Sequence, residues 1–172
     1  MIKNSCKFIL LIVATVFFYA CTQERLPCAQ PTIMSVVMGC HKWIGVDTLG
    51  NPIFKDTILN HPTVTARDSA GQLRTSIYPQ GSNSLIVHMS PISDSCQWII
   101  SADTTQVSLD SADVITFYYQ SQLNFLSNAC GYAYFYTLQK VVTTHHTFDS
   151  VQIANTTVNT NVNTEHVKIF MH

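Results

Sequence analysis

From residue 33 onward the chain is a succession of short β-branched and aromatic runs separated by turn-forming residues, a pattern that leaves little room for anything but an all-β fold. The runs occupy residues 33–38, 53–59, 73–78, 85–90, 97–101, 114–120, 132–138, 151–154 and 166–171, and the breaks between them carry Gly-Asn-Pro at 50–52, His-Pro at 61–62, Ser-Ala-Gly at 69–71, Pro-Gln-Gly at 79–81 and Asp-Ser-Ala-Asp at 110–113. In a strand, alternate side chains point to opposite faces. Leu85, Val87 and Met89 therefore share one face against Ile86, His88 and Ser90, while Ile115, Phe117 and Tyr119 oppose Thr116, Tyr118 and Gln120. Val167, Ile169 and Met171 alternate in the same way with Lys168 and Phe170. No stretch of this part sustains a capped helical repeat. The expectation is a single antiparallel β-sandwich over residues 33–172, immunoglobulin-like or related, with residues 154–165, rich in Asn and Thr, as a loop or an exposed edge. About 140 residues suffice for an independently stable core.

The first 20 residues follow another logic. Lys3 and Lys7 precede the apolar run at 8–19, and Ala20 and Cys21 follow it, which is the layout of a secretory signal peptide forming a short helix. The run is too short to span a bilayer, which takes about 20 apolar residues. Phe18-Tyr19-Ala20-Cys21 resembles the bacterial lipoprotein signal in its last two positions and is bulkier than usual in its first two. Cleavage before Cys21 would expose a thiol for diacylglycerol and an amine for a further acyl chain such as palmitate, and two or three chains anchor a protein stably. Thr22 stands where an Asp would resemble an inner-membrane retention signal, so the expected address is the outer membrane, facing the periplasm rather than the cell surface. Residues 21–32, with Pro27 and Pro31, read as a tether.

Processing at Cys21 leaves 152 residues with seven basic and ten acidic groups, and no clustered Lys and Arg that could follow a nucleic-acid backbone. Besides Cys21, the processed chain keeps Cys28, Cys40, Cys96 and Cys130, an even number in an oxidising compartment. Four cysteines allow three pairings, and spacing does not choose among them. No zinc-type Cys or His spacing, strained Gly-x-Ser-x-Gly turn or phosphate-cradling glycine loop is present, so neither a cofactor nor a catalytic residue is expected. Among the seven His, the group His145, His146, His166 and His172 is the one to weigh as metal ligands; adjacent His in a strand face opposite ways, which favours solvent-facing histidines in a turn. Tyr132, Tyr134 and Tyr136 share a strand face and could form an exposed ladder, although a core role is the simpler reading.

Seven of the eight Asp are followed by Ser or Thr. Six of these form triplets resembling the O-glycosylation signal of Bacteroidetes envelope proteins, with Thr48, Thr57, Ser69, Thr104, Ser111 and Ser150 as acceptors; Asp-Ser and Asp-Thr are also good turn formers.

The lipoprotein-type start, Cys28-Ala29-Gln30-Pro31-Thr32, Ala129-Cys130-Gly131-Tyr132 and the terminal His166-Val167-Lys168-Ile169-Phe170 together resemble the DUF6452 family of Bacteroidetes lipoproteins. That resemblance implies a disulfide between Cys28 and Cys130, with Cys40 and Cys96 as the remaining pair. It implies no activity. The expected function is a non-enzymatic interaction or envelope-structure module with an envelope protein or a glycan as partner. The alternative is a carrier holding a small apolar ligand in a β-barrel.

Overall fold

The structure, a computed structural model, describes residues 27–67, 73–78, 80–102, 112–161 and 163–172. Within them the chain forms β1 (Ser35–Val46), β2 (Pro52–Asp56), β3 (Thr63–Arg67), β4 (Leu73–Ile77), β5 (Ser84–His88), β6 (Ser95–Ser101), β7 (Asp113–Ser127), β8 (Gly131–Val142), β9 (Ser150–Ile153), β10 (Thr157–Val158) and β11 (Val167–Met171). One sheet has the order β2-β1-β11-β9, with β5 also paired to β1; the other runs β10-β8-β7-β6-β3-β4. The two sheets pack face to face as an all-β sandwich. β1 and β11 run parallel, the exception to an antiparallel pattern, and this pairing joins the start of the body to its end.

The alternation in the sequence decides which faces meet. Leu85, Val87, Ile115, Phe117, Tyr119, Val167 and Ile169 are all buried, together with Val36, Met38 and Cys40 from β1. Fully burying an aliphatic or aromatic side chain contributes about 1.5–3 kcal/mol, so this shared interior is the main source of stability. It also corrects the carrier reading. Two packed sheets filled by Phe117, Tyr119, Phe148 and Met38 take the place of a closed barrel with a hollow interior.

Three elements, β3, β7 and β8, differ from the sequence reading. β3 falls between two turn signals as Thr-Val-Thr-Ala-Arg; it pairs with β4 and β6, and its Val64 is buried. β7 and β8 run to 15 and 12 residues, well beyond the apolar runs at 114–120 and 132–138. Polar residues such as Gln122 and Asn124 interrupt the sequence pattern but still pair across the hairpin, with Phe135 and Ala133 respectively. Backbone pairing, once started by the apolar halves, carries through them.

Candidate functional site

The outer face of the β1 sheet carries a polar arrangement built around His41. His41 sits centrally, its strand flanked by β2 and β11, and its pairing partners are Asp56 and Phe170. Nδ1 of His41 lies 3.0 Å from Asp56 Oδ1, and Nε2 lies 3.2 Å from Glu165 Oε2. Both ring nitrogens are thus engaged by carboxylates, which leaves His41 no nitrogen with which to act on a third group. Gly39 explains how Glu165 reaches this place, because a β-carbon at Gly39 would collide with the Glu165 carboxylate. A cleft of about 330 Å³ opens here, lined by Gly39, His41, Asp56, Asn83, Asn163 and Glu165 among others. Lys168 Nζ stands 4.0 Å from the second Glu165 oxygen.

Beside the cleft the same face carries an aromatic shelf. Phe54 packs on Phe170 with ring centroids 4.4 Å apart, Phe170 also meets the His41 ring at 5.7 Å, and Trp43 meets His172 at 5.7 Å. Trp43 and Phe54 remain exposed. Rings that could have turned inward are held outward by register, since Met38 and Cys40 already occupy the inner face of β1. Carboxylates and amides next to exposed aromatic faces are suited to a ligand with many hydroxyls and a flat apolar side.

The residues singled out from the sequence are distributed otherwise. Cys28 and Cys130 form a disulfide, with Cα atoms 4.8 Å apart. The expected Cys40–Cys96 bond is corrected: both are free thiols. Cys96 lies against Met89, Sγ to Sδ 3.5 Å. Met89 directly follows His88, which pairs with Ser35, five residues along β1 from Cys40 and so roughly 17 Å away by strand rise. A disulfide tolerates about 7 Å between Cα atoms. Burial, with help from the Glu165 charge, pushes the Cys40 thiol up to about 12, and burial pushes Cys96 up to about 11.

The four weighed histidines do not converge, and among the described residues no three His, Cys, Asp or Glu side chains are placed to hold a metal ion. His166 is buried and accepts the Val37 N–H at Nδ1. His172 pairs with Asp149, and His145 turns through a positive φ of 57° to bond the Asp149 carbonyl. Tyr132, Tyr134 and Tyr136 share one pleat face, but only Tyr136 is buried. Of the proposed acceptors, Thr48 and Ser150 are exposed and Thr57 is half-buried, whereas Ser69, Thr104 and Ser111 lie outside the described residues. Cys21 lies outside them too. Asp47, Asp56 and Asp149 of these triplets have structural partners: Asp47 accepts bonds from the Leu49 and Asn51 N–H groups, Asp56 meets His41, and Asp149 meets His172. His41 was not singled out, because Glu165 is 124 residues away in sequence and only the β1–β11 pairing brings the two together.

The chain is therefore a β-sandwich protein with an acid-flanked histidine and an aromatic shelf on one outer face. A family model described as a family of unknown function (DUF6452) matches residues 54–171, and the chain belongs to that family. The matched span includes Cys130 and the terminal strand and begins after Cys28. No curated protein and no solved structure matches the chain.

Proposed function

We propose that this protein is a non-enzymatic lipoprotein, anchored to the outer membrane through Cys21, whose sandwich binds a glycan of the envelope. The observation that carries the binding role is the cleft itself: Asp56 and Glu165, fixed by His41, offer acceptor oxygens beside the exposed rings of Trp43 and Phe54. A sugar would lay its apolar face on the rings and direct its hydroxyls to the carboxylates and to Asn83 and Asn163. The anchor is supported by Lys3, Lys7, the apolar run and the Ala20-Cys21 pair.

Two experiments test the two halves. Metabolic labelling with a palmitate analogue should mark the wild type and spare Cys21→Ser; equal labelling refutes acylation at that residue. For binding, Cys21→Ser protein is applied to a glycan array and its affinity for retained glycans compared with Trp43→Ala and Gly39→Ala. Truncating a central aromatic contact is expected to weaken affinity about tenfold or more. Gly39→Ala should weaken it by displacing Glu165. An unchanged array profile in both variants removes the glycan from the reading.

A further inference from the structure

We propose that the outer half of the β7–β8 hairpin lies in the interfacial layer of the membrane that holds the anchor, an inference that rests on the acylation of Cys21 proposed above. The geometry comes first. The Cys28–Cys130 disulfide ties residue 28 to the turn of this hairpin. From Cys21 to Cys28 the chain advances seven residues, which span at most roughly 25 Å even when fully extended. Acyl chains on Cys21 would therefore hold the turn within that distance of the lipid. The sandwich itself ends before the turn does. The Tyr119 hydroxyl donates to the Ser90 carbonyl and accepts the Ser90 N–H, both at 3.0 Å, and Ser121 Oγ donates to the Pro91 carbonyl at 3.2 Å. Beyond these bonds the large side chains on the pleat face that buries Tyr119 and Tyr136 are exposed.

The composition of the exposed part suits a lipid headgroup layer. Between Asp113 and Lys140 there are 26 consecutive residues without Asp, Glu, Lys, Arg or His. Phe125 pairs with Tyr132 and Leu123 with Tyr134, which sets four large side chains side by side. They are 57%, 65%, 53% and 38% exposed respectively, and the Phe125 and Tyr132 rings touch edge to face at 5.3 Å. The opposite face of the same hairpin is engaged, with Ala133 buried and Leu126 and Phe135 packed against the core. The result is a one-sided apolar blade whose end nearest the turn is the Phe125 and Tyr132 pair. Tyr rings with their hydroxyls at headgroup level are characteristic of membrane interfaces, and the uncharged outer half of the hairpin has no ionic group to desolvate there. A second copy of the chain could also cover such a blade, but the short path from Cys21 selects the lipid.

The test uses the full, acylated chain in phosphatidylethanolamine and phosphatidylglycerol vesicles containing brominated acyl chains, which quench nearby tryptophan. Phe125→Trp places a reporter on the blade and keeps an aromatic ring at an exposed position. Leu49→Trp places one in the exposed turn after β1, whose 12 residues run roughly 36 Å by strand rise. An element seated about 5–10 Å into the headgroup boundary should lose about half or more of the added Phe125→Trp emission, with little loss for Leu49→Trp. Mass spectrometry of the same preparation reads the modification of Cys21. An acylated chain with equal quenching of the two reporters overturns the hairpin inference and leaves the anchor standing. Unmodified Cys21 overturns both. Absent quenching together with a dimeric mass assigns the blade to a second copy and overturns the lipid assignment.

Discussion

Asp113 is a fully buried carboxylate with a structural task. Its Oδ1 accepts the His146 N–H at 2.7 Å and the Thr144 hydroxyl at 3.1 Å, and its Oδ2 accepts the Thr147 and Phe148 N–H groups at 2.7 and 2.9 Å. This one side chain shapes the 143–148 loop and sets Phe148 into the core. Asp113→Ala would leave backbone donors without an acceptor, each worth about 1–3 kcal/mol, so a loss of about 3 kcal/mol or more is expected in urea unfolding. His166 makes a different prediction. Burial lowers its pKa below the ordinary histidine value, with the Thr157 backbone opposing in part, so the folded state holds it neutral while the unfolded chain takes up a proton first. Its contribution to stability is therefore complete above the unfolded pKa near ~6.5 and declines as the pH falls toward the lower folded value. Melting curves of wild type and His166→Gln should differ in slope with pH, the wild type losing more stability on acidification below about 6.5; parallel slopes would exclude this residue as the source.

At the scale of elements, the disulfide and the two thiols separate cleanly. Cys28–Cys130 spans 102 residues and ties the lead into β1 to the β7–β8 turn. In the chain-entropy model such a closure contributes about 4–5 kcal/mol, so Cys28→Ser with Cys130→Ser should lower the melting temperature by many degrees, read by calorimetry. Cys40 and Cys96 should resist iodoacetamide in the native protein at neutral pH and react after unfolding, because burial holds both protonated. Rapid native alkylation of either would contradict the packing of β1 or β6.

At the scale of the molecule, β11 is the strand that closes the fold. It lies between β1 and β9, buries Val167, Ile169 and Met171, and follows the Glu165 that reaches the His41 cleft. Ending the chain after Glu165 should abolish the cooperative thermal transition, whereas Leu49→Ala in an exposed turn should leave it nearly unchanged. The molecule also has a direction. Ser35, where β1 begins, pairs with His88 near the loop that bonds Ser121, while His41 and Trp43 lie further along β1. The proposed anchor end and the proposed binding face are thus separated along one strand.

Period-two alternation was enough to place Leu85, Val87, Ile115, Phe117, Val167 and Ile169 in one interior, because strand geometry converts sequence parity directly into a face. Turn residues marked the breaks that follow β1, β2, β3, β4 and β6 for the same local reason. The rest was decided between distant segments. Cys40 and Cys96 match any parity rule for pairing, yet the register of β5 on β1 sets them apart. Tyr132, Tyr134 and Tyr136 share a face, but whether that face is core depends on how far the opposing sheet extends. His41, Asp56 and Glu165 become one site only when the first and last strands pair in parallel. Parity is a local property of the backbone, whereas coverage and register depend on which strands meet.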